Sequence, residues 1–171
     1  HVNSLIYIQS FIKEHEALYQ KLINCIVWDE RMTSRKTASF GKAYNYSQIH
    51  YEPQPFLDDL IPLLDLIHST IGFQPNNCLI NYYPNGKSKM GWHSDQIDIL
   101  VPDTGIAIIS LGAERILKFR NILDQSITQD YLLASGSLAY MNQDTQKEWQ
   151  HTIPKTNSSA GRLSLTFRAL K

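Results

Sequence analysis

Scarcity narrows the possibilities first. Only two cysteines occur, Cys25 and Cys78, far apart and without CxxC spacing, which argues against a disulfide framework, a thiol redox motif or a cysteine zinc site. Both are expected to be buried thiols in a reducing compartment. No run of eighteen apolar residues and no charged-then-apolar leader is present, so no segment is expected to cross a bilayer. Charge of one sign is also missing: sixteen basic residues balance sixteen acidic ones. No global field then attracts nucleic acid, and any contact with it must be local. There is no internal repeat and no low-complexity stretch. A single domain over residues 1–171 is expected from the length, as a soluble monomer of the cytoplasm, or of the nucleus in a eukaryote. The chain begins with His1 instead of Met, which suggests a trimmed or processed end with residues upstream.

Hydrophobic spacing divides what is present into two halves. Residues 13–23 carry Ala17, Leu18, Leu22 and Ile23 at helical spacing, with Ser10 as the expected cap. A second helical pattern over 56–71 includes Leu57, Leu60, Ile61, Leu64, Leu66 and Ile67; Pro62 must start or kink it, and Gly72 ends it. Between them, 28–53 is polar, aromatic and irregular, reading as short strands and loops. After Gly72 the period changes to two, with strands expected at 78–83, 105–111, 115–120, 131–133, 137–141 and 162–168. Helices followed by many short strands predict an α+β domain built on a β-barrel or sandwich.

His93 and Asp95 are two apart, so on an extended strand both point to one face and can grip one ion. His151, beside Trp149 and Pro154 at an expected strand end, is the natural third ligand. Two histidines and a carboxylate suit the Fe(II) triad that leaves positions open for a chelating cosubstrate and oxygen, although zinc accepts the same ligands. Strict alternation over 162–168 puts Arg162, Ser164, Thr166 and Arg168 on one face and Leu163, Leu165 and Phe167 on the other. In a central strand, that polar face must line an anion-holding cavity, because unpaired buried guanidinium groups are too costly; on an edge strand it would simply be solvated. Asn81 and Tyr83, again two apart, can donate hydrogen bonds into the same cavity or pack as ordinary strand residues.

Taken together, Asn81-Tyr82-Tyr83, His93-Ser94-Asp95, Trp149-Gln150-His151 and the 162–168 strand resemble, in order and spacing, the AlkB family of nucleic-acid dealkylating dioxygenases. The likeness runs from 28 to 168 and includes the 34–41 stretch and the Ser110-Leu111-Gly112-Ala113 turn before Arg115. It implies a double-stranded β-helix, or jelly roll, with N-terminal helices packed outside. It also implies catalytic Fe(II) on His93, Asp95 and His151, and 2-oxoglutarate held by Asn81, Tyr83, Arg162, Ser164 and Arg168. O2 would then oxidise an N-alkylated base such as 1-methyladenine or 3-methylcytosine in DNA or RNA, with release of succinate, CO2 and formaldehyde.

By the same resemblance, 28–53 is the substrate lid and Tyr46 stacks on the base, while its neighbours Tyr44 and Tyr51 either share that role or pack. On the residues alone, Arg35 and Lys36, with Arg31, Lys42, Lys87 and Lys89, form either a phosphate-facing patch or a solvated rim. Two departures stand out: Ser164 occupies a position where many members carry Asn, and the segment 28–35 is short beside members that wedge a long hairpin into duplex DNA. The second favours single-stranded DNA, RNA or mildly disrupted sites as substrate, with duplex DNA kept as the further option. An oxygenase of the same superfamily acting on a protein or lipid is the alternative; a zinc hydrolase leaves the arginine face unexplained.

Overall fold

The computed structural model describes residues 2 and 4–171. In chain order the elements are β1 (Leu5–Ile8), α1 (His15–Cys25), β2 (Lys36–Gly41), β3 (Tyr44–Tyr46), β4 (Ile49–Tyr51), α2 (Ile61–Ile71), β5 (Asn77–Tyr83) and β6 (Met90–His93). They continue as β7 (Ile106–Gly112), β8 (Arg115–Asn121), β9 (Thr128–Leu133), β10 (Leu138–Met141), α3 (Gln143–Glu148), β11 (Trp149–Ile153) and β12 (Arg162–Arg168). A six-stranded sheet in the order β1-β10-β7-β12-β5-β2 faces a four-stranded sheet, β6-β11-β8-β9, and β3-β4 forms a separate hairpin. All pairings are antiparallel. This is the expected jelly roll.

The period-two pattern builds two cores. One side of the large sheet contributes Cys78, Ile80, Ala107, Ile109, Leu163, Leu165 and Phe167, which pack against Leu22 of α1 and Leu63, Leu64 and Ile67 of α2. The other side contributes Leu79, Tyr83, Ile106 and Ile108, which meet Leu117, Phe119, Leu133, Trp149 and Ile153 of the small sheet. Each buried aliphatic side chain contributes on the order of 1.5–3 kcal/mol, so the two seams fix the register of every inner strand. β12 lies between β5 and β7, which makes it a central strand.

Helix α2 begins with Pro62 in its first turn and ends at Gly72 in the left-handed region, φ 99°, as its sequence predicts. The cap expected at Ser10 is different. α1 starts at His15, with Glu14 at the cap position making no side-chain cap bond, while Ser10 occupies a turn at φ 54°. Cys78 is buried, and burial pushes its thiol up, but Cys25 is exposed at the end of α1, contrary to expectation.

The hairpin β3-β4 turns through Ser47 and Gln48, at φ 50° and 65°. Positive φ at both central residues of a two-residue loop is the type I′ geometry, which favours Asn and Gly. Ser and Gln there hold strain on the order of 1 kcal/mol each. Gln48→Gly should therefore raise stability by about 0.5–1 kcal/mol, read as a higher urea midpoint with an unchanged slope. An unchanged midpoint would show that this turn stores no such strain.

Candidate active site

Both sheets open onto one cavity, lined by Asn81 and Tyr83 of β5, His93 of β6, Asp95 just beyond it, His151 of β11, and Arg162, Ser164, Thr166 and Arg168 of β12, with Tyr46 of the hairpin. The sequence-predicted metal and cosubstrate residues therefore share one chamber. Two of them arrive by routes the sequence did not indicate. His93 closes β6 and Asp95 follows in a loop, so strand alternation is not what aligns them. His151 is the central residue of β11, directly opposite His93 in the antiparallel pairing, not at a strand end.

One ligating atom from each of His93, Asp95 and His151 lies within 4.8 Å of the others. His93 Nε2 is 3.2 Å from Asp95 Oδ1 and His151 Nε2 is 3.6 Å from Asp95 Oδ2. The His93 Nδ1–H donates to the Gly91 carbonyl at 2.8 Å, which fixes the ring so that Nε2 faces Asp95. The Asp95 backbone N–H donates to Gln146 Oε1 at 2.7 Å, and Ser94 Oγ donates to the Trp149 carbonyl at 2.8 Å. These two bonds staple the ligand loop to the segment that carries His151. α3, which supplies Gln146, carries no apolar stripe in its six residues; its sequence signal is the Asn142 cap, which accepts from Thr145 N–H.

Electrostatics match this arrangement. Burial opposes ionisation of Asp95, but the neighbouring His151 and Arg168 charges and the His93 hydrogen bond outweigh it and hold the carboxyl well below its usual range. Burial pushes the His151 imidazole down to about 4, with His93 and Arg168 reinforcing the shift against the attraction of Asp95. Burial also disfavours a charged His93, yet the Asp95 hydrogen bond and charge, helped by Gly91, raise it overall. A neutral His151 and an ionised Asp95 are in the forms that a divalent metal requires, whereas His93, whose charged form is favoured, must release a proton for the metal to bind.

The signs give a pH dependence for the metal-free protein. His151 titrates lower folded than unfolded, so its contribution to stability is complete above about pH 6.5 and is lost as pH falls towards 4. His93 is shifted upward, so its contribution is present below about pH 6.5 and fades as pH rises through its folded value. Thermal melts should therefore show falling stability from pH 6.5 to 4, with a shallower slope in His151→Gln. Equal slopes would contradict the assignment.

The far wall is built for an anion. Arg162 is 1% exposed; its Nη2 donates to Ser110 Oγ at 2.9 Å. Its Nε and Nη1, and those of Arg168, have no acceptor among the described residues. Arg168 Nη2 is 4.0 Å from Asp95 Oδ1, so one guanidinium stands at the ligand cluster and the other six residues away along the strand. Buried charged donors without acceptors, aimed into a cavity, call for a ligand with carboxylates at both ends. Together with the two-imidazole, one-carboxylate cluster, this donor set fits Fe(II) and a dicarboxylate cosubstrate.

The lid residues are placed differently from expectation. Tyr46 does line the cavity, and Tyr44 and Tyr51 are buried packing residues. Arg35, expected to face phosphate or solvent, is only 7% exposed, and its fork is engaged inside the protein. Lys36 lies outside the cavity on an open groove, paired with Glu30 at 3.0 Å. Arg31 pairs with Asp29, and Lys42 donates to the Lys171 carbonyl. Lys87 and Lys89 are the exposed cations of the loop before β6.

Comparison with known proteins gives the following. A family model described as the 2OG-Fe(II) oxygenase superfamily matches residues 11–168. The alpha-ketoglutarate-dependent dioxygenase alkB homolog 3 of Bos taurus is 31% identical over 93% of this chain, and the DNA oxidative demethylase ALKBH2 of Homo sapiens is 33% identical over 80% of it. The chain spans 63% and 56% of those two proteins. The solved structure of OsALKBH1 superposes with a TM-score of 0.72 at 15% identity, covering 96% of this chain and 97% of that one, a likeness of fold.

Proposed function

The chain belongs to the 2OG-Fe(II) oxygenase superfamily, alongside AlkB homologues, and from that premise we propose that it is an Fe(II)- and 2-oxoglutarate-dependent dioxygenase that removes alkyl groups from nucleobases in DNA or RNA. The observation that carries this reading is the placing in one cavity of a His-Asp-His cluster and two arginines whose Nε and Nη1 have no acceptor among the described residues. The names of the relatives supply the class of substrate.

In this reading His93, Asp95 and His151 would hold the metal, and Asn81, Tyr83, Ser164, Arg162 and Arg168 would hold 2-oxoglutarate. Arg168, beside Asp95, faces the metal-binding end of the cosubstrate, and Arg162 grips the distal carboxylate. When bound, iron with 2-oxoglutarate and O2 supplies the oxidation: one oxygen atom goes to the alkyl carbon, the other to succinate, and CO2 leaves. The protein contributes position and exclusion of water. Tyr46 at the cavity offers a ring for a splayed-out base, and exposed Lys87 and Lys89 offer local charge to phosphates on a chain of zero net charge. The short 28–35 segment favours single-stranded DNA or RNA as the substrate.

The test is release of formaldehyde and succinate from single-stranded oligonucleotides carrying 1-methyladenine or 3-methylcytosine, with Fe(II), ascorbate and 2-oxoglutarate. Equimolar products with restored base are expected. Succinate without restored base would point to a protein or lipid substrate for the same oxygenase, and neither product, despite bound iron, would end the enzymatic reading.

A further inference from the structure

Arg35 is a buried cation with no carboxylate partner among the described residues. Its Nε donates to Asn81 Oδ1 at 3.0 Å, Nη1 to the Lys89 carbonyl at 2.6 Å and to Ser34 Oγ at 3.3 Å, and Nη2 to the Tyr46 hydroxyl oxygen at 2.8 Å. One guanidinium thus joins the cosubstrate wall, the loop that leads to His93 and the hairpin that carries Tyr46.

The chemistry of these bonds sets direction. A guanidinium can only donate, so the Asn81 atom it meets must be Oδ1, and the amide Nδ2 is the end left for the cavity. The Tyr46 oxygen likewise accepts from Arg35, so its O–H proton is free to be given elsewhere. Arg35 therefore makes both residues donors towards the chamber that Arg162 and Arg168 already line with unpaired N–H groups. Its own charge, with only neutral acceptors and the Tyr83 ring 5.8 Å away, is better compensated when a dianion enters.

Building on the dioxygenase reading above, we propose that Arg35 is a positioning residue that polarises Asn81 and Tyr46 together and so couples 2-oxoglutarate binding to the seating of the base under the hairpin. It does not touch phosphate, iron or base.

The test uses the full chain. Affinity for 2-oxoglutarate is measured by calorimetry with Mn(II) in place of Fe(II), and coupling by the succinate-to-formaldehyde ratio on a methylated oligonucleotide. Arg35→Gln should weaken 2-oxoglutarate by about 10-fold or more and raise the ratio. Tyr46→Phe, which keeps the ring but loses the hydroxyl, should move the ratio more than the affinity. The double variant should raise the ratio no further than Arg35→Gln alone, since both act through one bond. Arg35→Lys, with its charge but not its fork, should fall between Arg35→Gln and the native protein. A folded Arg35→Gln with native affinity and ratio, or additive effects in the double variant, would overturn the proposal. Should Arg35→Gln not fold, native ratios in both Arg35→Lys and Tyr46→Phe would overturn it equally. If the native protein binds 2-oxoglutarate but restores no base, the dealkylase reading fails while the affinity measurements still decide the role of Arg35. Failure of the native protein to bind 2-oxoglutarate overturns both.

Discussion

Replacing His93 with Ala is expected to abolish turnover, by roughly three orders of magnitude or more, while leaving the melting temperature of the metal-free protein nearly unchanged. The side chain is 31% exposed at the end of β6, and its loss still leaves Asp95 with His151 and Arg168 beside it, so the stability change should stay within about 1 kcal/mol. Asp95→Ala is predicted to differ. It removes the same metal site, but it also leaves Arg168, 5% exposed at its side chain, without the only carboxylate beside it among the described residues. An uncompensated buried guanidinium costs about 3–5 kcal/mol, so this variant should lose both activity and stability. Calorimetric titration with Mn(II) and thermal melts on the same samples separate the two effects. Native turnover in either variant would remove the cluster from the reaction, and equal stabilities would show that Asp95 does not neutralise Arg168.

The site was largely legible in the sequence for a reason the structure makes clear. β12 carries polar and apolar residues in strict alternation because it is a central strand with helices on one side and a ligand chamber on the other. Only a strand in that position needs two arginines on an inward face, so its pattern identifies both fold and chemistry. The 58-residue gap between His93 and His151 was beyond local patterning, because their meeting depends on β6 and β11 pairing across the small sheet. β9 begins at Thr128, before the expected 131–133, since its first residues sit on a sheet edge with solvent-facing polar side chains that carry no hydrophobic signal.

Arg35 marks the limit of such reading. A sequence lists it among basic residues of a polar lid, where solvent exposure and phosphate contact are the natural inference. Its burial follows from tertiary partners 11, 46 and 54 residues away, none of which has a spacing rule. Lys36, its neighbour, faces the other way because β2 pairs with β5 from that residue onward. Arg35 sits behind Asn81 and Tyr46, whereas Lys36 lies over the Tyr82 ring at 6.0 Å.

Arg162 provides the converse experiment, in which function and stability should move in opposite directions. Burial pushes its guanidinium down from the ordinary arginine value against the weaker pull of the Tyr83 hydroxyl, and by hydrogen-bond geometry only Nη2 of its three nitrogens is paired among the described residues. A fold optimised for stability would not hold such a group there; strain of this kind belongs to ligand sites. Arg162→Met keeps most of the volume and removes the unpaired donors, leaving Ser110 with a lost partner. Replacing a poorly compensated buried charge with an apolar group of similar size is worth about 1–3 kcal/mol, so the metal-free variant should melt higher than the native protein. Its affinity for 2-oxoglutarate should fall roughly 100-fold, the loss of a bidentate, charge-assisted grip on the distal carboxylate. Adding 2-oxoglutarate at about 100 times the native dissociation constant, with Mn(II), should then reverse the order of melting temperatures or close the gap, because the native protein gains about 2.7 kcal/mol and the variant only about 0.4 kcal/mol. A variant that melts lower in both states would make Arg162 a structural residue, and one that melts higher but keeps native affinity would place the distal carboxylate elsewhere.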